Sequence, residues 1–177
     1  MNLPNALSLV RIFLVPVLVV FLIVVPRPYN LTAAAVFLAA VLTDWLDGRL
    51  ARSMRQVTTL GKLLDPVADK LLISASLISL VQVGRVDAWM VVLIVGRDLA
   101  ITGVRAIAAS QSVIIQASDF GKATMVAEVI AVALLILNWP AAALSLGRAV
   151  LGVAILLSLT SGVIYFRKFW RSIDLMK

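Results

Sequence analysis

Residues Thr43–Lys70 read TDWLDGRLARSMRQVTTLGKLLDPVADK and include Asp44, Asp47, Asp65 and Asp69, four of only nine acidic residues in a chain of 177. On a helix, Asp44, Asp47, Gly48 and Ala51 fall at i, i+3, i+4 and i+7 and form one stripe, with Arg52 beside it. Gly61, Asp65 and Asp69 fall at i, i+4 and i+8 and form a second stripe. The basic connection between them is short enough to set two helices side by side and antiparallel. Their four carboxylates then converge at one depth. This stretch predicts a helical fold built around buried acid.

The rest of the chain decides what surrounds that hairpin. Hydrophobic residues make up 62% and charged residues 14%, and the mean hydropathy is +1.07. A soluble domain of this size would lack the polar surface to cover itself. A bilayer is the solvent that suits such a composition, since each spanning helix needs about 20 mostly apolar residues. Six apolar segments are predicted as transmembrane helices, approximately Asn5–Val25, Leu31–Leu50, Leu63–Val83, Ala88–Ala109, Thr124–Trp139 and Leu146–Phe166. Short connections with Pro and Gly separate them. The first reads as a retained helix, because no Lys-rich start precedes it and no small-residue cleavage pattern follows. The expectation is an all-α, polytopic membrane protein, a single domain over residues 1–177.

Charge sets the orientation. Lys and Arg number 16, giving a formal net charge of +7. Arg49, Arg52, Arg55, Lys62, Lys122, Arg167, Lys168, Arg171 and Lys177 fall on one side, and Arg27, Arg85 and Arg148 on the other. Nine against three puts both termini and the aspartates on the cytoplasmic side. The surplus of cations favours anionic lipid headgroups over nucleic acid.

Cys and His are both absent, which excludes disulfides, thiolate nucleophiles, zinc thiolate sites and imidazole bases. Acid–base and metal chemistry falls to Asp, Glu, Lys, Tyr or water. Four converging carboxylates need cations to hold them together. A site of hard oxygen ligands suits Mg²⁺ or Mn²⁺, with Ca²⁺ left open, and four Asp suffice for two ions sharing ligands. The small residues Gly48 and Ala51 leave room for a ligand against the backbone, with Arg52 facing its phosphates. Each feature also has a local reading. Asp65 before Pro66 reads as a helix cap, Gly48 and Ala51 as packing residues, and Asp47 as a partner for Arg52 or Arg55. Intramembrane carboxylates, however, cost about 2.5–3.5 kcal/mol each on insertion scales. Four together point to function.

The spacing Asp44-x-x-Asp47-Gly48-x-x-Ala51-Arg52, eight residues, Gly61-x-x-x-Asp65-x-x-x-Asp69 resembles, at every fixed position, the signature of the CDP-alcohol phosphatidyltransferases. Asn2–Pro16, Gly96–Ala109 and Phe120–Glu128 resemble segments of that family's phosphatidylglycerophosphate synthases, so the likeness spans most of the chain. Departures from that subgroup are Thr124 and Met125, where it usually has Lys and Thr, Glu128 for Gln, and Asp98 for Glu.

The resemblance implies transfer of a phosphatidyl group from CDP-diacylglycerol to sn-glycerol 3-phosphate with release of CMP. It implies that Asp44 and Asp65 bridge two metal ions, Asp47 binds the first and Asp69 the second, with Asp69 also the general base. Gly48, Ala51, Arg52 and Gly61 would line the CDP site, with Asn5 and Thr58 beside them. A homodimer is implied as well. Arg97, Arg105 and Lys122 are the cations available to an acceptor phosphate, although Arg97 also reads as an internal ion pair with Asp98 or Glu128. Phosphatidylglycerol, inositol phosphate and serine are rival acceptors. A cation- or proton-coupled transporter is the rival of another class, but such proteins commonly show paired repeats, and this acidic cluster occurs once.

Overall fold

The computed structural model describes residues 3–25, 30–53, 59–110, 119–138 and 142–174. Among them the chain is all-helical. Six helices follow one another: α1 (Leu3–Ile23), α2 (Leu31–Ser53), α3 (Thr59–Gln82), α4 (Ala88–Ser110), α5 (Asp119–Leu137) and α6 (Ala142–Asp174). Each predicted apolar segment is one helix, extended by a turn or more at several ends. The helix-cap reading of Asp65 is corrected: α3 begins at Thr59, so Asp65 lies inside the helix, on the same element as Asp69.

α1 packs against α2 and α3, α6 packs against α5 and α4, and α2 and α3 meet α5. Leu18, Phe37, Leu77, Ile94, Leu135 and Leu151, one from each helix, are buried in a common apolar core. At Gly147 a Cβ would stand 2.8 Å from Leu135 Cγ, so only glycine allows α5 and α6 to come this close.

Large apolar side chains cover the outside as well as the core, and several polar ones are buried among them. Phe13, Leu31, Val92, Leu99 and Leu156 are exposed on the outside, while Ser8, Arg11, Ser76, Thr124, Glu128 and Ser161 are buried within. Two of the buried hydroxyls are satisfied locally: Ser76 and Thr124 donate to the carbonyls of Leu72 and Phe120 one turn back, at 2.7 and 2.8 Å. Among the described residues, two stretches are long and apolar enough to cross a membrane, Phe120–Leu137 and Ala142–Arg167. An apolar exterior with polar side chains kept inside the bundle is an arrangement that suits a lipid solvent.

The end of the bundle away from the aspartates is closed by side chains bonded to helix termini. Asn30 caps α2 by accepting from the Ala33 amide at 2.9 Å, and donates to the Phe21 carbonyl of α1 at 2.6 Å. α3 ends in a Schellman turn with Gly84 at φ 71°, where Arg85 N–H reaches the Leu80 carbonyl. Arg85 then donates to the last carbonyls of α5, Leu135 at 2.9 Å and Ile136 at 2.7 Å. Arg148 donates to the Arg85 carbonyl at 2.9 Å. Two of the three cations on the sparse side thus bind backbone, which gives them a reason to be there independent of the bilayer.

Candidate active site

Asp44 on α2 and Asp69 on α3 lie close enough for each to feel the other's charge. Asp44 sits on the last turns of α2, and Arg11 of α1 binds its carboxylate at 2.6 Å. The Arg11 side chain is 0% exposed. A buried guanidinium needs a buried or half-buried anion beside it, so α1 is pinned to α2 at the depth of the acidic motif. Asp69, half-buried on α3, faces the charges of Asp44, Arg11, Lys70 and Asp98. Sequence reasoning missed Arg11. Its only signal was an arginine within an otherwise apolar span, the same signal that singled out Arg97 and Arg105.

Asp69 also lines a polar cavity of ≈ 240 Å³ enclosed by α3, α4, α5 and α6. Arg105, Lys122, Thr124, Glu128 and Tyr165 stand on its other walls. Residues far apart in the sequence meet here because alternate helices run in opposite directions. The carboxyl-terminal halves of α4 and α6 and the amino-terminal halves of α3 and α5 share one end of the bundle.

The three cations proposed for an acceptor phosphate all reach this cavity, but they differ in their bonding. Arg97 is engaged at each guanidinium nitrogen: Nη1 donates to Asp98 at 2.8 Å, Nη2 to Ser161 Oγ at 2.9 Å and Nε to the Ser158 carbonyl at 3.2 Å. Lys70 binds the other Asp98 oxygen at 3.0 Å. Arg97 and Asp98 therefore tie α4 to α6 and α3, as the internal-pair reading expected. Arg105 donates through Nε to Tyr165 Oη at 3.1 Å, with its guanidinium carbon 5.3 Å from the centre of that ring. Tyr165 is buried, so it orients Arg105 while the guanidinium itself stays at the exposed rim.

Other site residues lie partly or wholly outside the described structure. Asp47, Gly48, Ala51 and Arg52 belong to α2, Gly61 and Asp65 to α3 and Asn5 to α1, but their side chains fall outside the described residues. Thr58 falls outside altogether. Among the described residues no three acidic side chains form a metal cluster. The donor chemistry nonetheless fits a hard divalent cation. Two carboxylates face each other's charge, and the chain has no nitrogen or sulfur ligand from His or Cys to offer instead.

Known proteins bear on this arrangement. The family model for CDP-alcohol phosphatidyltransferase matches residues 1–161. The chain is 40% identical to a Bacillus subtilis (strain 168) protein named CDP-diacylglycerol–glycerol-3-phosphate 3-phosphatidyltransferase, over 97% of each chain. It is 37% identical to an Arabidopsis thaliana protein of the same name, numbered 2, over 96% of this chain and 80% of the other. It is also 34% identical to a cardiolipin synthase (CMP-forming) of Oryza sativa subsp. japonica, over 97% of this chain and 58% of that one.

Proposed function

The chain belongs to the CDP-alcohol phosphatidyltransferase family, and from that premise we propose that it transfers a phosphatidyl group from CDP-diacylglycerol to sn-glycerol 3-phosphate in phospholipid synthesis. The products are phosphatidylglycerophosphate and CMP. The observation that carries the acceptor assignment is the polar cavity, where a carboxylate suited to take a proton, Asp69, shares walls with Arg105 and Lys122.

The acceptor enters with its phosphate toward Arg105 and Lys122 and one hydroxyl toward Asp69. Asp69 takes the hydroxyl proton as the oxygen attacks the phosphatidyl phosphorus. A new bond forms between that phosphorus and the hydroxyl oxygen of glycerol phosphate, the pyrophosphate P–O bond to CMP breaks, and CMP leaves with the electron pair. Arg11 acts through Asp44, holding that carboxylate in position. Gly48, Ala51, Arg52 and Gly61, with Asn5 and Thr58, are assigned to the CDP moiety. Asp44, Asp47, Asp65 and Asp69 would hold the divalent metal on which the family depends, read here as two Mg²⁺ or Mn²⁺ ions. When bound, it neutralises charge developing on the transferred phosphate and on CMP.

We assign the chain to the cell membrane as one multi-pass domain of six spans, with both termini and the active site on the cytoplasmic side. The apolar exterior and the distribution of Lys and Arg support that reading. A homodimer is the expected assembly. The apolar groove of ≈ 420 Å³ between α3 and α4, lined by Ile78, Val91, Val92 and Val95, is a surface that a second copy would cover.

Activity is tested by CMP release from purified protein, CDP-diacylglycerol and Mg²⁺ with a panel of acceptors. Glycerol phosphate is expected to be the best, ahead of phosphatidylglycerol, inositol phosphate and serine, and excess EDTA to stop turnover. A better acceptor in the panel would overturn the substrate, and turnover in EDTA the metal site. Topology is tested by single cysteines, which stand alone because the chain has none of its own. Arg55→Cys and Lys177→Cys should react with an impermeant thiol reagent only from the cytoplasmic side, and Ala88→Cys only from outside. The reverse pattern would invert the assigned orientation.

A further inference from the structure

Glu128 is the carboxylate in the polar cavity whose bonding is incomplete. It lies on α5, is 5% exposed and lines the cavity that holds Asp69. Its Oε1 is buried without a hydrogen-bond partner. Asp98, the neighbouring acid, is saturated: Arg97 holds Oδ1 at 2.8 Å and Lys70 holds Oδ2 at 3.0 Å. Glu128 faces those same charges at longer range, but each nitrogen of Arg97 is already bonded to Asp98, Ser161 or Ser158. An unpaired acceptor inside a protein is rare, and it is unfavourable unless something else completes it.

The assigned acceptor supplies the complement. Glycerol phosphate carries two hydroxyls and a phosphate. Arg105 and Lys122 take the phosphate, and the primary hydroxyl faces Asp69 and reacts. The secondary hydroxyl then enters the cavity as a donor needing an acceptor.

We propose that the Glu128 carboxylate, which lines the cavity, accepts a hydrogen bond from the secondary hydroxyl of glycerol phosphate and is the group by which this site selects a vicinal diol phosphate. The proposal rests on the acceptor reading above and goes beyond it by naming what reads the non-reacting hydroxyl. A site built to bond a substrate hydroxyl rejects the analogue lacking it far more strongly than an apolar pocket rejects a missing methylene, because the protein group is left unpaired. Asp69 does not serve this purpose, since it is occupied with the reacting hydroxyl. Thr124, whose hydroxyl donates to Phe120 in its own helix, keeps only the weaker acceptor of a neutral hydroxyl, and a carboxylate is the stronger partner for a donor.

The test compares sn-glycerol 3-phosphate with 3-hydroxypropyl phosphate, which keeps the phosphate and primary hydroxyl and lacks only the secondary one. The wild-type protein should prefer glycerol phosphate by about 100-fold or more in kcat/KM. In Glu128→Ala and in Glu128→Met, which refills the volume without an acceptor, the preference should collapse to below about fivefold, while Glu128→Gln, which keeps an amide oxygen, retains much of it. A wild-type preference below about fivefold overturns the proposal whether or not any variant folds. So does a preference that persists in a folded Ala or Met variant, which would make Glu128 a counter-charge to Lys70 and Arg97. If the protein uses neither phosphate but transfers to another alcohol, the acceptor reading falls first.

Discussion

An Asp69→Asn variant is expected to fold normally and to lose about 10²- to 10⁴-fold in kcat at saturating acceptor, the range for a missing general base. Asparagine keeps the shape and hydrogen-bonding reach of the side chain but cannot take the hydroxyl proton. The KM for glycerol phosphate should move little, because Arg105 and Lys122 still stand in the cavity. Asp44→Asn is also expected to abolish transfer, but for two reasons that must be separated. It removes a carboxylate from the motif, and it takes from the fully buried guanidinium of Arg11 the carboxylate that lies 2.6 Å away. Breaking a buried pair by deleting one partner costs about 3–5 kcal/mol, which should appear as a lower Tm in detergent. Adding Arg11→Met removes the buried cation together with its carboxylate, so the double variant should regain part of that stability and remain inactive. Asp69→Asn with wild-type kcat would end its assignment as the base, and an active double variant would reduce Asp44 to a tether for α1.

The helices were legible for a physical reason. A long apolar run between Pro- and Gly-bearing connections declares a helix through composition, so all six helices were found and only their ends moved, as with α3 starting at Thr59 rather than near Leu63. The aspartate motif was legible because its spacing repeats the helical period. Less visible were pairings between helices distant in the chain. Arg11 with Asp44, and Arg97 with Asp98, Ser161 and Ser158, depend on which helices pack together, and periodicity within one helix carries no such information. Arg85 and Arg148 were counted only as charges, because a guanidinium bound to backbone carbonyls leaves no pattern in sequence. Glu128 could be placed near Arg97, but not identified as the acid whose oxygen stays open.

Arg105→Ala and Lys122→Ala are each expected to lower kcat/KM for glycerol phosphate by about 10- to 100-fold, the equivalent of losing a charge-assisted phosphate contact worth about 1.5–3 kcal/mol. The loss should fall mainly on the KM for glycerol phosphate. The KM for CDP-diacylglycerol should change much less, since that ligand is assigned to Arg52 and the small residues of the motif. Tyr165→Phe provides an internal scale. It removes the 3.1 Å bond to Arg105 Nε but keeps the ring beside the guanidinium, so about 0.5–1.5 kcal/mol is the most it should cost. Arg97→Ala should behave differently despite lining the same cavity. It takes away one of the two cations on Asp98 and the hydrogen bonds that Arg97 gives to the Ser158 carbonyl and the Ser161 hydroxyl. The expected result is a lower Tm and a drop in kcat/KM for both substrates together. If Arg105→Ala and Lys122→Ala bind glycerol phosphate normally while Arg97→Ala alone raises its KM, the phosphate lies against α6 rather than between α4 and α5, and the acceptor enters the cavity in the opposite direction.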